Sequence, residues 1–297
     1  MQAREEYRAM MLPGAQHIEI INPNLERGRI RFALFDFDGT ISLIREGWQG
    51  VMIPMMVDVL AELGTGETRE ELYEIVREFV TRLTGKQTIY QMIELAEQVK
   101  KRGGKPKDPL EYKWDYLRLL WERIEDRVRG LKEGRLTPKE MSVPGSLEMV
   151  AALKDRGVTL YLASGTDRPY VLDEAACLGL DRYFGENIYG ALDDYKSFSK
   201  AMLIQRIIEE NNLHGSEFVA FGDGFVEIEN AKEVGGIAVG VASNEAARQG
   251  IDEWKRNRLI EAGADIIIPD FREWRRLVAY LWAEDEPCLT PNSTVGG

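Results

Sequence analysis

Five short runs, at residues 32–35, 158–163, 218–221, 237–241 and 266–268, constrain the fold more than anything else in the chain. Each is rich in β-branched and aliphatic residues and lacks the polar alternation of a half-exposed strand. Strands that are apolar on both faces belong in a sheet covered by helices on each side. Helical patterns separate the later runs. Within 145–156, Leu147, Val150, Ala151 and Leu153 form one face and Gly157 supplies a stop; within 199–211, the pairs Leu203/Ile207 and Ile204/Ile208 do the same. The pattern predicts an α/β fold around a mostly parallel sheet. An earlier run at 17–21, followed by Asn22-Pro23, adds a short edge strand or hairpin within an N-terminal extension, residues 1–30.

The gap between the first two runs is far longer than the later gaps, so something is inserted there. Residues 46–141 read as several amphipathic helices: WQGVMIPMMVDVLAEL, ETREELYEIVREFVTRL, QTIYQMIELAEQVKK and PLEYKWDYLRLLWERIEDRV. Gly64-Thr65-Gly66, Gly85 and Gly103-Gly104 punctuate them. The expected division is therefore a catalytic core of 1–45 and 142–285, a helical cap of 46–141 and a flexible tail of 286–297. The insert leaves the chain at the carboxyl end of the first strand, where open α/β sheets bind ligands, so a lid over a site is the economical reading. A bundle that only stabilises or dimerises is the alternative.

Composition narrows the function classes. The formal charge of −12 sets a field that repels polyanions, which argues against nucleic acid or an anionic membrane as partner. Two cysteines, Cys177 and Cys288, make neither a disulfide framework nor a zinc cluster. No basic, apolar leader opens the chain and no run of apolar residues is long enough to span a bilayer, so the expectation is a cytoplasmic protein, monomer or homodimer. The sequon Asn292-Ser293-Thr294 lies in a polar tail and reads as chance.

The stretch FALFDFDGT at 32–40 closes a buried strand with two acids, Asp36 and Asp38. If the extended conformation persists, both carboxylates point to one side. Like charges that close need a cation or a shared proton, and hard carboxylate oxygens suit Mg²⁺. The run at 158–163 ends in Ser164-Gly165-Thr166, with Asp167 and Pro169 as start signals for a helix, its N-cap and first residue. A hydroxyl and free amides at a helix N-terminus hold phosphate oxygens well. The third run, 218–221, leads into FGDGFVE, bringing Asp223 and Glu227.

In this order, DFDGT, SGT, a lysine and GDGFVE resemble the motifs of the haloacid dehalogenase-like superfamily of phosphohydrolases. The resemblance covers residues 32–243 and implies a Rossmann-like core with a helical cap between the first and second motifs. It implies Asp36 as nucleophile, Asp38 as general acid/base, Ser164 and Lys200 as catalytic groups on the phosphate, and Mg²⁺ held by Asp36, Asp223, Glu227 and the main-chain carbonyl of Asp38. Glu227 stands where Asp is commoner, and its longer reach leaves direct or water-mediated coordination open. For the lysine, Lys196 competes with Lys200. A cation in a helix's first turn, beside the cap Ser199, wants a compensating anion, and that favours Lys200.

Gly39, Thr40, Gly165 and Thr166 complete the expected phosphate site, with Thr40 orienting Asp38 or capping the turn. Arg45, Trp48 and Lys86, with Gln49, Gln87 and Tyr90 nearby, are the expected contacts to the rest of the substrate. An acid at 38 selects ester chemistry, because a departing halide needs no proton. The resemblance thus implies Mg²⁺-dependent hydrolysis of a small phosphate ester, such as a sugar phosphate or phosphoglycolate, through an aspartyl phosphate. Two alternatives stay open: a phosphomutase using the same aspartate, and a non-catalytic protein that binds a phosphate ligand.

Overall fold

The structure is a computed structural model and describes residues 9–192 and 194–284. Cys288, the 292–294 sequon and the 286–297 tail lie outside the described residues. Among these residues, no helix is long and apolar enough to cross a membrane.

The N-terminal extension forms two short strands, β1 (Met10–Met11) and β2 (Glu19–Ile20). Then come β3 (Phe32–Asp36), four inserted helices α1 (Gln49–Ala61), α2 (Arg69–Leu83), α3 (Thr88–Lys101) and α4 (Pro109–Lys132), and α5 (Ser146–Asp155). The remainder alternates: β4 (Thr159–Asp167), α6 (Arg168–Cys177), α7 (Asp181–Phe184), β5 (Ile188–Ala191), α8 (Lys200–Glu210), β6 (Phe218–Gly222), α9 (Phe225–Glu233), β7 (Ile237–Val241), α10 (Glu253–Glu261), β8 (Ile266–Ile268) and α11 (Trp274–Leu281). The strands make one eight-stranded sheet in the order β1-β2-β8-β7-β6-β3-β4-β5. Only β1 and β2 run antiparallel to their neighbours.

The sheet is buried on both faces for the reason its strands are uniformly apolar. Ala33 and Phe35 of β3 join a core that includes Met149 and Val150 of α5, Val171 of α6 and Leu277 of α11. Phe32 and Leu34, one residue out of phase, face Leu203 and Ile207 of α8, Ile228 of α9 and Leu259 of α10. The first core continues without a break into the insert through Met52, Met56, Val76 and Leu120.

The strand order reverses at β3: the chain next builds β4 and β5 on one side, then crosses to β6, β7 and β8 on the other. Register aligns the ends. Asp36 pairs with Ala163, and Phe35 with both Leu162 and Phe221, so Asp36, Ser164 and Asp223 emerge along one carboxyl edge at the switch point.

The end of β4 and the start of α6 depart from expectation. β4 runs through Ser164, Gly165 and Thr166 to Asp167 with an irregular register against β5, so these residues do not sit at a helix N-terminus. Asp167 is the N-cap of α6 but caps nothing with its side chain; its carboxylate pairs instead with Lys113 of α4 at 2.6 Å. Pro169 is accordingly the second residue of α6 rather than the first.

The insert is joined by a short two-stranded crossing. Leu43 N donates to Met141 O at 2.9 Å and Val143 N to Ile41 O at 2.8 Å. Arg127 of α4 clamps the outgoing segment through the carbonyls of Ile44 (2.9 Å) and Glu46 (3.0 Å). At the far end, Arg258 of α10 donates to the last carbonyls of α2, including Arg82 O at 2.8 Å. A guanidinium there satisfies acceptors that a helix C-terminus leaves open.

Candidate active site

Asp36, Asp38, Gly39, Ser164, Lys200 and Asp223 line a single pocket at the carboxyl edge of the sheet. Asp36 is the last residue of β3, and its Oδ1 accepts from the Phe37 amide at 2.7 Å and from Lys200 Nζ at 2.8 Å. Lys200 enters from the first position of α8, whose N-cap Ser199 accepts from Met202 N at 3.1 Å. Its ammonium also meets Glu227 Oε1. Burial alone would pull Lys200 down, but the charges of Asp36 and Glu227 more than offset it and hold the lysine protonated. With two buried carboxylates around one ammonium, Asp36 is itself pushed well up, first by desolvation. Lys196, the competing lysine, is exposed beside Tyr195 and is not part of the pocket wall.

Asp38 lies beyond the strand end. Its Oδ2 accepts from Thr166 Oγ1 at 3.0 Å and Ser164 Oγ at 3.2 Å. Its Oδ1 is buried with no hydrogen-bond partner among the described residues. Burial raises its pKa, opposed by the nearby Arg45 guanidinium. Gly39 turns the chain at φ +74°, and a Cβ there would lie 2.2 Å from Asp223 Oδ2, so no larger residue fits between the two loops.

Several expected residues take other places. Thr40 is buried away from the pocket, and its Oγ1 accepts from the Asp223 amide at 3.0 Å rather than touching Asp38. It ties the β3 loop to the end of β6. Glu227 is wholly enclosed behind Lys200, packed against Gly222, and does not reach the pocket. Its Oε1 meets Lys200, while its Oε2 is buried with no hydrogen-bond partner among the described residues. Arg45 does line the pocket, yet its guanidinium is gripped by Glu174 of α6 at 2.7 and 3.1 Å, both groups buried.

The insert supplies the outer wall. Trp48 and Lys86 line the pocket with Met52 and Tyr116. The turn between α2 and α3 presses on the β4 loop so closely that a Cβ on Gly165 would stand 2.8 Å from Lys86 O. Gln87 Nε2 donates to Phe198 O at 2.6 Å, and Tyr90 meets Tyr195 edge-on, so both brace the turn. Gln49 lines a different surface groove.

Sequence reasoning missed Glu245 and Lys255. Glu245 lines the pocket, and Lys255 Nζ lies 2.7 Å from both Asp223 Oδ2 and Glu245 Oε1. No strand-end motif announces either residue.

The donor set suits a hard divalent cation: the Asp36 and Asp223 carboxylates line one pocket with Asp38, and Glu227 behind them keeps a buried oxygen with no hydrogen-bond partner among the described residues. Among the described residues, no three acidic side chains already converge on one point. Lysines hold one oxygen each of Asp36 and Asp223.

A family model described as haloacid dehalogenase-like hydrolase matches residues 30–235. A 5′-nucleotidase of Pseudomonas aeruginosa is 29% identical over 128 residues, 43% of this chain and 54% of the relative. The chain thus aligns with about half the length of that curated relative. Among solved structures, a predicted phosphoglycolate phosphatase from Haemophilus somnus aligns with TM-score 0.54 at 15% identity, covering 84% of this chain and 98% of that one. A hydrolase of the same family from Deinococcus radiodurans, solved with phosphate and sodium, gives 0.51 at 19%, covering 88% and 100%. With the family match spanning most of the chain and its motifs meeting at one pocket, the protein belongs to the haloacid dehalogenase-like hydrolases.

Proposed function

We propose that the protein is a Mg²⁺-dependent phosphomonoester hydrolase acting on a small phosphorylated metabolite. The observation that carries this reading is the meeting of Asp36, Asp38, Ser164, Lys200 and Asp223 on one pocket at the switch point. Both hydrogen bonds to Asp36 fall on Oδ1, which leaves Oδ2 to attack phosphorus. As the P–O bond to the leaving group breaks, Asp38 gives its proton to the departing oxygen. It then takes a proton from the water that opens the aspartyl phosphate. Burial favours the protonated form of Asp38, which suits an acid in the first step. Lys200 holds the nucleophile in place and offers positive charge to the phosphoryl oxygens. When bound, Mg²⁺ would be held by the Asp36 and Asp223 carboxylates and the main-chain carbonyl of Asp38, and would supply the charge that lets a carboxylate approach a phosphate.

Ser164 and Thr166 hydroxyls orient Asp38 in this arrangement, and the Gly165 backbone faces the pocket. The insert acts as a cap: Trp48 and Lys86 of the insert line the pocket together with the core residues, which supports a small ester over a macromolecular one. The activities named for the similar 5′-nucleotidase and phosphoglycolate phosphatase agree with that size class.

The test is phosphate release from a panel of sugar, amino-acid and nucleotide phosphates, with Mg²⁺ or with chelator. We expect release only with metal, and none above background from Asp36→Asn. Undiminished release by Asp36→Asn would place the nucleophile elsewhere.

A further inference from the structure

Lys255 is not explained by the chemistry above. It lies beyond the residues matched by the family model, in the first turn of α10, after the N-cap Asp252. Its Nζ stands 2.7 Å from Asp223 Oδ2, 2.7 Å from Glu245 Oε1 and 3.2 Å from Ser243 Oγ. The Ser243 hydroxyl in turn donates to Gly39 O at 2.6 Å, inside the β3 loop. All three charged side chains are largely buried, with 11% of Lys255, 12% of Asp223 and 19% of Glu245 exposed.

Two carboxylates this close and this desolvated cannot both stay charged without a cation between them. Lys255 is that cation here. A first-turn lysine also opposes its own helix dipole, so its position depends on the two acids as much as theirs depends on it. Asp223 is the carboxylate that the proposed function gives to Mg²⁺, and Lys255 already occupies one of its oxygens.

We infer that Lys255 is a tethered cation that competes with the divalent metal for Asp223. It holds the Asp223–Glu245 pair together in the metal-free protein, and Mg²⁺ binds against its charge. Lys255 is therefore a positioning residue that sets metal affinity through Asp223. Glu245 is its second anchor, drawing the ammonium partly off Asp223. The inference rests on the reading of Asp223 as a metal ligand.

Mg²⁺ binding, measured by calorimetric titration and by the Mg²⁺-induced rise in Tm, tests this on full-length protein. Lys255→Met should melt lower without metal, bind Mg²⁺ about tenfold more tightly, equivalent to roughly 1.4 kcal/mol, and gain more in Tm from Mg²⁺ than the parent. Glu245→Gln, which leaves Lys255 to Asp223 alone, should bind Mg²⁺ severalfold more weakly. A lysine that only braced the fold would move both affinities the same way or not at all, and equal or weaker binding by folded Lys255→Met overturns the inference. If Lys255→Met does not fold, Glu245→Gln decides, and unchanged affinity there overturns it. Asp223→Asn separates the two claims: binding as tight as the parent's would remove Asp223 from the metal site, a failure of the functional reading itself.

Discussion

Lys200 and Lys255 reach the same edge of the sheet from the first turns of two helices, and each bridges two buried acids. Their surroundings differ. Lys200 joins Asp36 to Glu227, and Glu227 is sealed from the pocket, so the second anchor of this lysine is out of a pocket ligand's reach. Lys255 joins Asp223 to Glu245, both of which line the pocket. One cation is a fixed part of the nucleophile's setting; the other stands where a ligand of the site competes with it. The same local electrostatics thus serves permanence in one place and exchange in the other, and what decides is whether the second acid faces protein or pocket.

The sharpest way to break this contrast is Lys200→Met. It strands Asp36 and Glu227 as buried charges, and breaking a buried pair costs about 3–5 kcal/mol. Loss of one preorganised cation on the developing charge should lower phosphate release by about a thousandfold. Urea titration and steady-state assays measure the two, and Mg²⁺ should recover neither. If Lys255→Met proved equally inactive at saturating Mg²⁺, the two lysines would not differ as argued.

Next comes Glu227→Gln. As the sealed partner that aims Lys200, it should cost about 10–100-fold in turnover, the range seen when a group behind a functional residue is removed. Its Mg²⁺ affinity should match the parent's, whereas Glu245→Gln shifts affinity. A metal-affinity defect in Glu227→Gln that saturating Mg²⁺ repairs would restore Glu227 to the ligand set and erase the distinction.

This contrast also marks how far the sequence could be read. The runs at 237–241 and 266–268 coincide with β7 and β8, because strands buried on both faces carry an apolar signal at every position. β5, Ile188–Ala191, was not seen: it is short and interrupted by Gly190, whose hydrogen leaves room for Arg168 Cα, 2.6 Å from where a Cβ would stand. Asp167 carried an N-cap signal, but a lysine distant in sequence claimed its side chain. Lys200 was legible since a helix-start lysine beside a serine cap needs an anion, and the motif order supplied one. Lys255 obeys the same rule at Asp252, yet its acids come from the ends of β6 and β7, and only the sheet order brings those together.

Asp38 completes the comparison as the acid that neither lysine reaches. Its partners are two hydroxyls, and its Oδ1 has none among the described residues. Desolvation therefore raises its pKa above the ordinary 3.8, so the folded protein holds this proton more tightly than the unfolded chain. A carboxyl raised in this way costs stability above its folded pKa, and the cost fades as pH falls through that pKa and is gone below 3.8, where both states are protonated. Asp38→Asn, inactive as a hydrolase, should then melt higher than the parent near neutral pH in chelator, because a neutral amide is cheaper to bury than a carboxylate. The gain should shrink steadily as the pH is lowered toward 4, and Mg²⁺, whose ligands Asp36 and Asp223 the variant keeps, should raise both melting temperatures. Calorimetric melting across that range measures it. A Tm for Asp38→Asn below the parent's at neutral pH would mean that a charged partner, and not burial, governs Asp38, leaving it no different from the four lysine-bound acids.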